Sequence, residues 1–107
     1  MARLPKYKLE YAPEVYEHMR FIPMKDHRLI SGAIKQQLSY TPEARTRNRK
    51  PLKEPVEFGA TWELRFGTRN SFRVFYEVDQ AKSVVRILAI GLKEGNRLFI
   101  GGKEFEL

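Results

Sequence analysis

Charged residues that alternate with apolar ones are the clearest candidates for chemistry in this sequence. Glu63 and Arg65 alternate in this way, Arg73 and Glu77 do so in the next run, and Arg86 lies in the run after that. A period of two places alternate side chains on one face of a strand, so three neighbouring strands would bring the arginines together. Clustered guanidinium groups can bind a phosphate, and a nearby carboxylate can act as a general base. The alternative is a set of cross-strand ion pairs on a solvated face.

A basic segment precedes these runs. Between residues 44 and 53 the chain has five basic residues and no acidic one; they are Arg45, Arg47, Arg49, Lys50 and Lys53. Such a segment can follow a nucleic-acid backbone by releasing counterions, or it can be a solvated loop or a docking site for an acidic partner. Alternation also places Phe75 among the arginines of the sheet. There it could stack on a nucleic-acid base or pack against a covering loop.

The scarcity of some residue types excludes several kinds of active site. The 107 residues include no cysteine, which excludes disulfides, thiolate nucleophiles and cysteine-bound zinc or iron–sulfur clusters. The two histidines, His18 and His27, have no partner at metal-ligand spacing, and we expect both at the surface. We therefore expect neither a metal nor a cofactor. The net charge of +7 favours a polyanionic or acidic partner.

The length and apolar pattern suggest one domain in the cytoplasm. Domains typically have about 100–150 residues, so we expect a single domain over residues 1–107. The longest apolar run, residues 87–92, is far shorter than the ~20 residues of a membrane helix. The first residues lack the apolar core of a secretion signal. We expect a cytoplasmic protein that does not contact a membrane.

The first forty residues predict one strand and two helices. Alternation predicts a strand over residues 6–11. A helix follows, with Pro13 in its first turn and Pro23 after its end. A second helix is predicted from about residue 25 to residue 39, with Asp26 as its N-cap. The apolar stripe of this helix is formed by Leu29, Ile30, Ala33, Ile34 and Leu38.

The rest of the chain predicts a meander. Residues 41–59 show neither the apolar period of a helix nor that of a strand. Strands are then predicted over residues 60–66, 72–78, 84–90 and 97–100. We expect Trp62 to be largely buried, and Val85, Ile87 and Ala89 to face inward. Short turns between the later strands favour antiparallel pairing, with the helical hairpin covering one face. The predicted fold is α+β, with an antiparallel sheet of four or five strands.

Four segments together resemble the RelE/ParE superfamily of toxins from toxin–antitoxin systems. They are RKPL at 49–52, GATWELR at 59–65, FRVFYEV at 72–78 and ILAIGLK at 87–93. The resemblance extends from about residue 6 to residue 93, and the order of strand, helical hairpin and meander agrees with it. It implies a toxin of a type II module that a small antitoxin protein neutralises. RelE-like members cleave messenger RNA on the ribosome without a metal, whereas ParE-like members act on DNA gyrase.

The resemblance also implies roles for individual residues. Arg73 matches the arginine that holds the scissile phosphate, and Arg65 matches the arginine of the ELR segment. Glu63 is then the candidate base, and Lys93 or Arg86 would assist the leaving group. The catalytic set is thus Arg73, Arg65, Glu63 and Lys93, and the RNA-binding set is Arg45, Arg47, Arg49, Lys50 and Arg86.

Three positions depart from the RelE pattern. Thr61 and Glu63 stand where that pattern has lysines, and Phe99 stands near its C-terminal tyrosine. Three functions therefore remain open at this point. The chain is a messenger RNA endoribonuclease that uses attack by the 2′-hydroxyl, a non-enzymatic inhibitor of DNA gyrase, or an antitoxin-binding domain without activity.

Overall fold

The computed structural model describes residues 4–54, 56 and 58–106. Within these residues the chain forms seven strands and two α-helices. They are β1 (Lys8–Tyr11), α1 (Pro13–Arg20), α2 (His27–Leu38), β2 (Arg49–Pro51), β3 (Trp62–Phe66), β4 (Phe72–Asp79), β5 (Val84–Glu94), β6 (Arg97–Ile100) and β7 (Lys103–Phe105). One-turn 3-10 helices occupy Met24–Asp26 and Thr68–Asn70. No helix in the described part of the chain is long and apolar enough to cross a membrane.

The strands form one sheet in the order β2-β3-β4-β5-β6-β7, and each neighbouring pair in this series is antiparallel. β1 lies parallel to the first half of β5. The predicted α+β fold, with a helical hairpin on a mainly antiparallel sheet, is confirmed, but the sheet has seven strands and not the predicted four or five. β2 and β7 have only three residues each, which is too short for alternation to be recognised.

The two helices pack on one side of the sheet, here called the helix face. The buried residues of this core are Val15, Ile22, Ile30, Ile34, Leu38, Leu64, Phe72, Val74, Tyr76, Val85, Ile87 and Ile90. The α2 stripe recurs every fourth residue, and Leu29, which was predicted to belong to it, is 51% exposed. Asp26 makes no side-chain hydrogen bond that would cap α2. Trp62 packs against this core and stacks on Tyr76, but it is only half-buried.

The opposite side of the sheet, here called the groove face, carries a second and smaller core. Its buried residues are Ala60, Phe75, Ala89 and Leu98. Ala89 was predicted to face the helices, and that prediction is wrong. β5 has one extra residue, Leu88, between the pairs Phe75–Ala89 and Tyr76–Ile87, so its alternation reverses there.

Candidate functional site

Three charged side chains meet on the groove face of β3 and β4. Arg65 lies directly opposite Arg73 in the β3–β4 register, and Glu63 is two residues before Arg65 on the same face. The Glu63 carboxylate accepts a hydrogen bond from Arg65 Nε at 2.7 Å and another from Arg73 Nη1 at 3.4 Å. The structure thus brings together three of the four residues of the predicted catalytic set.

The three side chains differ in their access to solvent. Glu63 is completely buried, and the side chain of Arg73 is only 7% exposed, whereas that of Arg65 is 33% exposed. Burial lowers the pKa of Arg73, and the charge of Arg65 lowers it further, while Glu63 acts in the opposite direction. A guanidinium group remains protonated despite such a shift, because its ordinary pKa lies far above neutral pH. The trio therefore holds two positive charges and one negative charge.

The turn between β3 and β4 fixes the position of Arg73. Gly67 has a φ of 83°, and a Cβ atom there would lie 2.6 Å from the Phe72 ring, so glycine is required. Asn70 has a φ of 54°, and its carbonyl accepts a hydrogen bond from Arg73 Nε at 3.2 Å. The next carbonyl, that of Ser71, accepts the backbone N–H of Lys93 at 2.7 Å. The turn therefore holds Arg73 and the end of β5 together.

Two open clefts adjoin the trio, and we call them together the arginine groove. One, of about 820 Å³, is lined on β2 and β3 by Lys50, Glu63 and Arg65. The other, of about 630 Å³, is lined by Arg65, Arg73, Lys93 and Arg97. Both clefts have Glu104, Phe105 and Glu106 as their far wall. Arginine and lysine side chains on one wall and an acidic C-terminal segment on the other give the groove two sides of opposite charge.

Sequence reasoning missed the C-terminal wall of the groove. Phe105 packs on Phe58 and Phe75, with ring centroids 5.4 and 6.5 Å away, which holds β7 over the groove face. Glu104 accepts hydrogen bonds from Arg97 Nε at 2.8 and 3.3 Å. The signal for this hairpin was the pair of glycines at 101–102, followed by alternating residues that are too few to recognise alone.

Comparison with known proteins identifies the fold. A chain from the crystal structure of the toxin–antitoxin complex RelBE2 of Mycobacterium tuberculosis matches with a TM-score of 0.64 and 21% identity, and the match covers 82% of this chain and 99% of that chain. The chain has a RelE-like fold. No family model matches it, and no curated protein matches it in sequence.

Of the five predicted RNA-binding residues only Lys50 is among the described lining of the groove of this RelE-like fold, and two of the others, Arg86 and Arg49, are engaged elsewhere. Arg86 is on the groove face, but its partners are Glu77 at 3.2 Å, Glu10 at 3.7 Å and Asp79 at 4.0 Å. Glu77 opposes Arg86 and is four residues beyond Arg73 on β4, a separation of about 13 Å along a strand. The prediction that Arg86 lies in one cluster with Arg65 and Arg73 is therefore wrong.

Arg49 is the second such residue, and it is buried. Its Nη1 atom donates hydrogen bonds to the carbonyl of Gln37, in the last turn of α2, and to that of Thr41, in the loop that follows. The guanidinium thus pairs a carbonyl that the helix leaves unpaired and ties the loop to the end of the helix. Arg45 and Arg47 are exposed, and Lys50 is exposed and lines the groove. The RNA-binding prediction for these three stays a prediction, whereas Arg49 has a structural role.

Phe75 and the histidines have structural roles as well. Phe75 is completely buried in the second core, so it cannot stack on a nucleic-acid base. His18 Nδ1 accepts the backbone N–H of Ile90 at 3.3 Å, and its pKa is lowered mainly by burial. His27 Nε2 lies 2.9 Å from the carbonyl of Met19. Neither histidine is the surface side chain that we expected, since both are half-buried.

Proposed function

We propose that this chain is the toxin of a type II toxin–antitoxin module and that it cleaves messenger RNA on the ribosome without a metal ion. The observation that carries the proposal is the pair of arginines held on one buried carboxylate at the floor of an open, basic groove. The RelE-like fold supports the toxin assignment, because its structural neighbour comes from a toxin–antitoxin complex. In the described residues no group of three or more His, Asp or Glu side chains is placed to hold a metal ion.

The proposed reaction is an internal transfer of the phosphoryl group. The 2′-hydroxyl oxygen of the RNA attacks the adjacent phosphorus, and the bond from phosphorus to the 5′-oxygen of the next nucleotide breaks. The products are a 2′,3′-cyclic phosphate and a 5′-hydroxyl. A carboxylate accepts the proton of the 2′-hydroxyl, and the leaving oxygen takes a proton from Lys93 or from water. No oxidant, reductant or further reactant is needed.

Each wall of the groove has a part in this reaction. Arg65 and Arg73 stabilise the negative charge that grows on the phosphate oxygens, which preorganised donors do best in a site that is partly closed to water. We assign contacts with the RNA backbone to Lys50 on the groove wall and to the exposed Arg45 and Arg47 that precede it along the chain. The sequence suggests Glu63 as the proton acceptor, and Glu106 on the far wall is a second and more exposed candidate.

The proposed partner is an antitoxin protein that places an acidic segment over the arginine groove. The net charge of +7 supports this choice, because an acidic partner then associates faster and loses that gain as salt is added. A binding assay between 50 mM and 500 mM salt would test it. Binding to the helical hairpin alone, without dependence on salt, would contradict the proposal.

The test of function is a growth and cleavage assay on matched arginine variants. Arg65→Ala should remove toxicity and the cleavage of ribosome-bound messenger RNA, because Arg65 is the more exposed of the two guanidinium groups in the trio. Arg86→Ala is the control, since its side chain is similarly exposed (37%) but lies outside the groove. Equal cleavage by the two variants would contradict the nuclease mechanism.

Inhibition of DNA gyrase is the second candidate. One observation favours it: the described lining of the arginine groove contains neither histidine nor tyrosine, so no side chain of these types is placed to transfer a proton. A supercoiling assay with purified gyrase, run beside the messenger RNA assay, separates the two candidates. Loss of supercoiling without RNA cleavage would replace the nuclease by a ParE-like activity.

A further inference from the structure

We infer that Glu63 is a positioning residue that joins Arg65 and Arg73 into one phosphate-binding unit, and that it is not the proton acceptor of the reaction. The inference deepens the proposed function and rests on it for the identity of the ligand, an RNA phosphodiester. It reverses the role that the resemblance suggests for Glu63.

The first argument is the placement of like charges. Arg65 and Arg73 are directly opposed across two antiparallel strands, where two positive side chains destabilise a sheet. Burial of Arg73 strengthens the repulsion, because charges are screened less away from water. Glu63 is bonded to both guanidinium groups and supplies the opposite charge. Without Glu63, repulsion between the two guanidinium groups favours side-chain conformations in which they lie farther apart.

The second argument is that the Glu63 carboxylate is buried and already accepts hydrogen bonds. Both oxygens of Glu63 already accept hydrogen bonds, one from each arginine, and the side chain has no exposed surface. A general base must come within hydrogen-bond distance of the proton that it removes. Because its side chain is fully buried, Glu63 meets that requirement only if the side chains that cover it move aside. The geometry therefore suits a structural counter-charge and not a proton acceptor.

The third argument is the set of donors that remain for a ligand. Arg65 uses Nε for Glu63, and Arg73 uses Nη1 for Glu63 and Nε for the Asn70 carbonyl. The two terminal nitrogens of Arg65 and Nη2 of Arg73 make no hydrogen bond to any described residue. Planar guanidinium groups match the oxygens of a phosphate. The remaining donors form a clamp for one phosphodiester.

The inference predicts that Glu63→Gln weakens RNA binding, whereas the change in net charge alone would strengthen it. Glu63→Gln removes a negative charge from a basic groove, which by itself should tighten the binding of RNA. A glutamine, however, has one acceptor oxygen and a donor NH₂ group that faces the guanidinium donors. It cannot hold both arginines, so the clamp is lost and RNA binding should weaken.

The experiment compares two Glu→Gln variants in binding to a 2′-O-methyl RNA oligonucleotide, which cannot be cleaved. Glu77→Gln is the matched control, because Glu77 pairs with an arginine on the same face outside the groove. Relative to wild type, Glu63→Gln should bind about tenfold more weakly or worse, the usual effect of a lost charged hydrogen bond. Glu77→Gln should bind equally well or more tightly. Equal affinities of the two variants would overturn the inference.

Two further measurements keep the test decisive. Glu63→Asp retains the charge but is too short to span both arginines, so it should also bind weakly while a melting curve shows that it is folded. The pH profile of residual cleavage by a folded Glu63 variant should retain its acidic limb, because the proton acceptor is still present. Loss of that limb with unchanged RNA affinity would make Glu63 the base. If wild type binds RNA through the clamp but does not cleave ribosome-bound messenger RNA, the proposed function fails and the inference stands.

Discussion

Tyr76 donates a hydrogen bond from its hydroxyl to the carbonyl of Pro42 at 2.7 Å, and this bond joins β4 to the loop that follows α2. Both residues are fully buried. Burial raises the pKa of Tyr76 well above its usual range, an effect that Glu43 reinforces and Arg49 opposes. A hydroxyl on the helix face thus fixes the start of the segment that leads to the arginine groove.

This bond should make stability fall at alkaline pH. The phenol has an ordinary pKa of about 10 in the unfolded chain and a raised pKa in the folded one. The stabilisation is therefore complete below pH 10 and is lost as pH rises through the folded value. Tyr76→Phe should lose about 1–3 kcal/mol at neutral pH, because the Pro42 carbonyl remains buried without a donor, and it should respond less to high pH.

Urea denaturation at several values between pH 7 and pH 11 would measure the effect. Tyr40→Phe is the control, because Tyr40 is 49% exposed and loss of its hydroxyl should leave the stability at neutral pH unchanged. Tyr11, whose pKa is also raised by burial, leaves some alkaline dependence in every variant. A Tyr76→Phe curve parallel to that of wild type above pH 10 would contradict the assignment.

Arg73→Ala should destabilise the fold as well as abolish activity. Arg73 is only 6% exposed and neutralises the charge of a fully buried Glu63. Removal of one partner of a buried ion pair costs about 3–5 kcal/mol. Arg86→Ala, which breaks partly exposed pairs, should cost at most about 1 kcal/mol. Urea denaturation of both variants would check this, and equal costs would show that the trio is less tightly coupled than its burial implies.

Arg47 and Arg49 are two residues apart, but we expect mutation of Arg49 to lower stability and mutation of Arg47 to affect RNA binding. Arg49→Ala should cost about 1.5–3 kcal/mol, because the carbonyl of Gln37 at the end of α2 and that of Thr41 in the next loop lose a charged donor. Arg47→Ala should change stability by less than about 0.5 kcal/mol, because Arg47 is exposed. If Arg47 contacts a phosphate, its removal should lower the slope of log K against log salt by about one. Melting curves and salt-dependent RNA binding would separate the two roles.

Alternation predicted the groove face well where the strands are regular. Leu64, Val74 and Tyr76 lie on the helix face as expected, which places Glu63, Arg65 and Arg73 on the other face. The same rule failed on β5 because the extra residue Leu88 reverses the faces, and periodicity cannot reveal a bulge in an apolar run. The pattern left open whether the groove face is solvated, and it did not reveal the second core that Phe75 and Ala89 form there.

Burial and long-range contacts could not be predicted from the pattern. Arg49 looks like its exposed neighbours in the basic segment, and only the tertiary contact with the end of α2 distinguishes it. His18 is joined to Ile90, 72 residues away, by a hydrogen bond that no spacing indicates. The C-terminal wall of the groove depends in the same way on Phe105 reaching Phe58 and Phe75.

Glu106 is the carboxylate whose loss should slow cleavage without weakening RNA binding. It is exposed on the far wall of the groove and has no ion pair with a described residue. Its neighbour Glu104 is a weaker base, because a hydrogen bond and the charge of Arg97 lower the pKa of that carboxyl. Glu106→Gln should reduce the cleavage rate about 100-fold or more, the usual contribution of a positioned general base.

A matched control for Glu106→Gln is Glu94→Gln, an exposed carboxylate outside the groove on β5. Single-turnover cleavage of ribosome-bound messenger RNA would give the rates, and a 2′-O-methyl oligonucleotide would give the affinities. Glu106→Gln should bind RNA at least as tightly as wild type, since it removes a negative charge from the groove. It should also lose the acidic limb of the pH–rate profile. Cleavage by Glu106→Gln at the rate of Glu94→Gln would exclude Glu106 and leave water as the proton acceptor beside a clamped Glu63.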